Sequence, residues 1–303
     1  MKTRYKATSC LPIAAIALVA AACGPTIGAP CQSATGDFAA QYTLVTKTGS
    51  AKCDALLQAG DVVGLTSFAV RGAAGELPRY DLPGSVAIQT PEAGHVMSVF
   101  VDDHGVDLPA GDAAYALGNF AGAQPKGTTC NVPTFKHAHL KFGPIAATPD
   151  DPATTDADES APGVPAYEGT WLWSNVTFVS TADAPGTAFS GNISASVPDE
   201  DGNKCSFEYK AVGLYPAIPC NTDDTTKPIA DEEGHTMADP EWHPTYEQKA
   251  DATLCNSQAD LSKNRPIGSG INPNFKTECA AFATGSAYFC VLEAGFAKAL
   301  LQP

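Results

Sequence analysis

The chain predicts an all-β fold, an antiparallel β-sandwich or barrel with long loops and disulfides, and three observations carry that expectation. Apolar and β-branched runs bounded by Gly, Pro and Asp recur along the sequence, and helical periodicity is scarce. Ten cysteines accompany 27 glycines and 24 prolines in 303 residues, the composition of a loop-rich exported protein. With 44% hydrophobic and 17% charged residues the chain can bury a large core, which excludes a disordered or fibrous polymer.

The strand runs fall at 38–48, 61–71, 85–90, 95–102, 134–142, 170–181, 187–197, 204–214 and 286–294. The clearest is the seventh. Phe189, Gly191, Ile193, Ala195 and Val197 alternate with Ser190, Asn192, Ser194 and Ser196, the period of a strand with one buried and one wet face. Residues 198–203 then supply turn chemistry, with Gly202 able to take a positive φ. Cys205, Phe207, Tyr209 and Ala211 alternate with Ser206, Glu208 and Lys210 on the way back. Together with the run from Trp171 to Phe178 these make a meander of strands about ten residues long, longer than the usual five or six and suited to a large sandwich or barrel.

Two stretches break the pattern. Residues 146–168 carry six acids, four prolines and no Lys or Arg; residues 221–250 carry eight acids, including Asp231-Glu232-Glu233, against Lys227 and Lys249. Neither has the apolar surface to offset the entropy of ordering, so both are expected to be flexible acidic loops inserted in a single β domain spanning 37–303.

The N-terminus reads as an export signal over residues 1–22. Lys2, Arg4 and Lys6 form the positive region, residues 11–19 the apolar stretch, and Ala20, Ala21 and Ala22 the small-residue cleavage zone. The following Val19-Ala20-Ala21-Ala22-Cys23-Gly24 resembles the lipobox of bacterial lipoproteins, departing from it at Ala20, where Leu, Val or Ile is commoner. The resemblance implies acylation of Cys23 as the first mature residue, a lipid-anchored leader over 23–36, and, through Gly24, sorting to the outer membrane, with the periplasmic or surface face left open. Cysteine parity agrees. Once Cys10 leaves with the signal and Cys23 is set aside, Cys31, Cys53, Cys130, Cys205, Cys220, Cys255, Cys279 and Cys290 remain, an even set of disulfide-forming residues. Eight cysteines allow about a hundred pairings, and none is assigned. Taken whole, the lipobox-like start and strand runs such as 205–216 make the chain similar in style to the uncharacterised, alanine-rich predicted lipoproteins of large-genome bacteria such as myxobacteria, a resemblance that implies no activity.

The net charge of -15, with the basic cluster confined to the signal, excludes nucleic acid as a default partner, because phosphate binding needs clustered Lys and Arg. The expected partners are the membrane, through the N-terminal lipid, and an envelope polysaccharide or another envelope protein.

Candidate chemistry is sparse. His137 and His139 in Lys136-His137-Ala138-His139-Leu140-Lys141 would project from one face of a strand about 7 Å apart, a spacing from which two imidazoles can share a Zn or Cu ion. His95 or His104 would complete the site, and Lys141 counts against a cation there. Asp199, Asp201 and Asn203 begin a calcium-loop pattern that fails at Lys204 and Lys210, which leaves a hairpin turn. Residues 102–105 read as a turn. His235 and His243 stand among carboxylates in the second acidic stretch, and Trp242 lies beside them. Trp171 and Trp173 share a strand face, as core residues or as a sugar-stacking platform. No G-x-S-x-G, HExxH, P-loop or G-x-G-x-x-G motif occurs. The sequence therefore predicts an exported, lipid-anchored binding or structural module without cofactor. The alternatives are a metal-dependent enzyme using His137 and His139, or a carbohydrate-binding module using Trp171, Trp173 or Trp242.

Overall fold

The computed structural model describes residues 30–73, 76–147, 163–229, 245–263, 266, 268–283 and 287–301. The signal, Cys23, most of the first acidic stretch, and His235, Trp242 and His243 lie outside the described residues.

Nine strands build the main sheet. They are β1 (Gly36–Thr48), β2 (Gly60–Phe68), β3 (Ser85–Gln89), β4 (Ala116–Asn119), β5 (Thr129–Lys136), β6 (Ala138–Phe142), β7 (Tyr167–Ser180), β8 (Pro185–Pro198) and β9 (Lys204–Leu214). Consecutive walls pair antiparallel, and β9 returns to β1 with Tyr42 opposite Ala211. The last gap is closed by β7, which pairs with β5 (Val132 opposite Val176) and with β6 (Leu140 opposite Gly169). β5 and β6 are thus two halves of one wall broken at His137, and the sheet is an eight-walled, up-and-down closed barrel. Closure pairs every long edge that an open sheet would expose.

Alternation decides which residues face the lumen. On β8 and β9 the inward rows are those the sequence marks, including Ile193, Val197, Phe207 and Tyr209. On β7 the inward row changes parity: Trp171 and Trp173 face in, then Val176 and Phe178. The switch is a bulge in the pairing with β8 between Ser174 and Thr177, where Asn175 takes φ 50°. One half of the lumen is packed solid by Phe38, Phe120, Trp173, Phe178 and Phe189. Space for this cluster depends on Gly213, where an added Cβ would lie 2.0 Å from the Phe189 ring.

Four disulfides resolve the pairing left open by the sequence: Cys31–Cys130, Cys53–Cys205, Cys220–Cys279 and Cys255–Cys290. The first holds the end of the leader to β5 at the packed end of the barrel, where Cys31 N also donates to Ala123 O. The chain after β9 forms β10 (Asn221–Ile229), β11 (Thr245–Ala250), β12 (Thr277–Ala283), β13 (Ala287–Leu292) and a terminal helix Ala294–Leu301. Its hairpins lie on the outer barrel face, where Phe282 and Val291 bury Ala39 against Val62.

Three expectations are corrected. Residues 95–102 are not a strand but helix α1 (Pro91–Met97) continued by a wider π-type turn over Ser98–Asp103. Thr90 caps it by accepting from Ala93 N at 3.4 Å, Pro91 sits where its missing N–H is harmless, and Ala93, Val96 and Phe100 bury one helical face. The second acidic stretch is a hairpin at both described ends rather than a loop. There β10 pairs with β11, Gln248 bridges Asn221 and Asp223, and Lys249 answers Asp224. The first ends earlier than expected, since Tyr167 and Glu168 already belong to β7 and Ile145 bridges Val164.

Candidate functional site in the barrel lumen

Eight-stranded barrels have interiors just wide enough to be filled by side chains or to hold one small ligand. This barrel divides the two uses between its ends. Opposite the packed half, a cavity of about 670 Å³ opens among Tyr42, Asp61, Glu92, Trp171, Ile193 and Tyr209 and runs out over the rim to Val62 and to Phe282, Ala287 and Phe289 of the outer hairpin. Its rim is the turn Ala51–Leu56 with Leu57 and Gln58, fixed by the Cys53–Cys205 disulfide and by Ser50 Oγ donating to Asp199 Oδ2 at 2.9 Å.

Each polar group reaches the cavity for a structural reason. Asp61 heads the inward row Asp61, Val63, Leu65 of β2, facing Ala40 across the ladder, and its Oδ1 accepts from Val62 N at 2.9 Å. Glu92 is carried in by the first turn of α1 and accepts from the Tyr167 hydroxyl at 3.0 Å and from the Trp171 indole. Tyr42 stacks on Tyr209 with centroids 5.3 Å apart, and Tyr209 Oη accepts from Gln58 N at 3.4 Å. The Tyr42 hydroxyl, on a side chain only 7% exposed, has no hydrogen-bond partner among the described residues.

The electrostatics follow from burial. Removal from water pushes the Asp61 carboxyl up to about 7, against the pull of the Val62 N–H and with a further push from the Glu92 charge. Burial likewise raises Glu92, outweighing its hydrogen bonds from Tyr167 and Trp171 and the charge of His95. Burial, then Asp61, then Tyr209 hold the Tyr42 phenol well above its ordinary range. No Lys, Arg or His stands among the described lining residues.

The residues singled out by sequence lie elsewhere or play other parts. His137 is exposed and His139 half-buried, with rings 6.1 Å apart and nearly perpendicular. His139 Nδ1 is 2.8 Å from Asp112 Oδ1 and its Nε2 3.7 Å from Glu168 Oε1, while Glu168 pairs with Lys141 at 2.7 Å. Among the described residues, the clusters of three metal-ligating atoms are both built on disulfide cysteines, so neither His95 nor His104 completes one with this pair. Asp199 is the hub of a hairpin turn, accepting from Asp201 N and Asn203 N. Trp171 and Trp173 do share a face, but it is the inner one; Trp173 is in the packed half and Trp171 forms cavity wall. Asp61, Glu92, Tyr42 and Tyr209 were not singled out. The sign that could have found Asp61 is a carboxylate in phase with Val63 and Leu65 on an inward row.

The family model MlpA matches residues 36–216, more than half of the chain. This chain belongs to the MlpA family. The matched span runs from the first residue of β1 to two residues past β9, so the MlpA region is the barrel with its cavity. Membership is consistent with the myxobacterial-type lipoprotein resemblance and with association with the cell envelope. No curated protein and no solved structure matches the chain. Among the described residues of this MlpA protein, no helix is long and apolar enough to cross a membrane.

Proposed function

We propose that this MlpA protein is a lipid-anchored envelope binding module that holds one small amphipathic molecule in the open half of its barrel. The observation that carries the reading is the half-empty lumen: one end is filled by packed aromatic rings, while the other opens into a cavity of about 670 Å³ that reaches out past a disulfide-fixed rim. Its described lining offers aromatic and aliphatic walls with a few convergent polar groups, the composition of a ligand pocket.

The N-terminus supports the anchoring. With Cys23 acylated, eight residue steps separate the lipid from Cys31, a reach of at most about 29 Å. Cys31 is fixed at the packed end, so the tether holds that end toward the bilayer and turns the mouth away from it. Outer-membrane placement follows from Gly24 after the lipidated cysteine.

Titration of the purified protein with Nile red, a neutral apolar fluorophore, tests the reading. Saturable one-to-one binding is expected, with loss in an Ala195→Trp variant that fills the cavity and retains the β circular-dichroism spectrum. Equal binding by both proteins, or none by either, refutes it.

A further inference from the structure

We propose that the ligand is a cation: the open half of the lumen is built for the ammonium head of an amphipathic organic amine, seated between Asp61, Glu92 and the surrounding aromatic rings, with its apolar body against Ile193 and Val197. The proposal rests on the container reading above and names its substrate class.

Charge is the first argument. The described lining holds Asp54, Asp61 and Glu92 and no base. Asp54 is paired outside with Lys47. Asp61 and Glu92 receive only neutral donors, the Val62 N–H, the Tyr167 hydroxyl and the Trp171 indole. Carboxylates withdrawn from water are normally paired with a cation or a metal; among the described residues His95 acts on Glu92 from one turn along the helix and lies outside the cavity lining, and no base lines the cavity beside Asp61. An anionic ligand would meet repulsion from both groups.

The second argument is independent of the acids. The Tyr42 side chain lines the same cavity, and its hydroxyl, buried, has no hydrogen-bond partner among the described residues. Buried polar atoms are almost always hydrogen-bonded, so an orphan on a side chain that lines the pocket is a group that a ligand atom could satisfy after a small shift of the ring. Around it Tyr42, Phe207, Tyr209 and Trp171 offer ring faces and edges, the surroundings that attract an ammonium group. A bare divalent ion is a poor fit, because Ca²⁺ or Mg²⁺ takes six or more oxygen ligands and this cavity offers two carboxylates set in apolar surface.

Titration supports the geometry. Asp61, at about 7, faces Tyr42 on β1 and Glu92 on α1; Glu92 faces Tyr167 and Trp171 on β7 and has His95 one turn along its own helix. Protonating Asp61 removes half of the attraction, so cation binding weakens as the pH falls through about 7.

The test uses the full mature chain, exported with Cys23→Ser so that neither acyl chain nor detergent competes. Calorimetry compares octyltrimethylammonium, octyl glucoside and octanesulfonate, one tail with three head charges, each below its micelle concentration. At about pH 8 the cation is expected to bind one-to-one and at least about ten-fold tighter than the other two, with the preference shrinking several-fold at about pH 5.5. Asp61→Asn with Glu92→Gln is expected to abolish the preference, the ratio of cation affinity to glucoside affinity falling to about one. A glucoside or sulfonate that matches the cation in the wild type, or a double variant that keeps the preference, overturns the charge inference and leaves the container intact. Failure of all three ligands to bind overturns both.

Discussion

Replacing Tyr42 by Phe removes a single oxygen from the cavity wall and nothing else. The ring keeps its stack on Tyr209 at 5.3 Å and its place in the core beside β9, because neither depends on the hydroxyl. What is lost is a buried polar atom without a partner among the described residues. Leaving such a group unsatisfied costs about 1–3 kcal/mol, so the ligand-free Tyr42→Phe protein should be more stable than the wild type by about 1 kcal/mol. For a cooperative unit of this size that is a rise of about 2–4 °C in Tm. The sign is informative, since most substitutions at buried positions destabilise. Thermal and urea unfolding followed by circular dichroism, on ligand-free protein, measure it. A loss of about 1 kcal/mol or more would show that the hydroxyl already holds a partner, and the argument that it awaits a ligand atom would fail. The same variant should bind octylammonium, whose N–H can donate to the hydroxyl, more weakly, stability and affinity moving in opposite directions.

Other outcomes follow from the same geometry. The Asp61 carboxyl, at about 7 in the folded protein and 3.8 as a free group, keeps its proton longer when folded, so its contribution favours the fold below about pH 4 and is lost as pH rises through 7. Asp61→Asn should therefore flatten the decline between about pH 4 and 7 and stabilise the protein at pH 8 by at most about 4 kcal/mol, read from urea midpoints across pH. An unchanged slope would mean that Asp61 is as well solvated folded as unfolded. Gly213→Ala forces a methyl to within 2.0 Å of the Phe189 ring and should cost about 1–3 kcal/mol with the Nile red site retained, since the clash is in the packed half. Replacing Cys31 and Cys130 together by Ser opens a link between residues 99 apart and should lower stability by about 2–5 kcal/mol in denaturant melts without closing the mouth.

Much of the barrel was legible because its long strands obey period two. The run from Phe189 to Val197, the return from Cys205 to Ala211 and the turn at Gly202 appear in the structure as β8, β9 and their hairpin, with the same residues turned inward. The choice between sandwich and barrel was not legible, since it rests on whether β9 finds β1 and β7 finds β5, pairings between segments far apart in sequence. Short elements were missed for a different reason. β4 has four residues, too few for a period to show, and the helix after Thr90 hid within a run rich in Val and Phe that also satisfies a strand pattern. The site was the least legible part. Asp61 and Glu92 come from a strand head and a helix start 31 positions apart, and they converge only because the barrel closes. The histidine pair drew attention through local spacing, yet His139 is engaged by Asp112 across 27 positions, a contact that spacing does not reveal.

The claim on which the account turns is that a ligand seats in the open half of the lumen, and the indole N–H resonances of a ¹⁵N-labelled sample report on it directly. Trp171 forms the cavity wall, whereas Trp173 is packed in the closed half with its Nε1 buried. Titration with octyltrimethylammonium should move the Trp171 signal to a saturating limit and leave Trp173 nearly still. A ligand that binds while the Trp171 signal stays fixed would place the site outside the open half of the lumen and contradict the account.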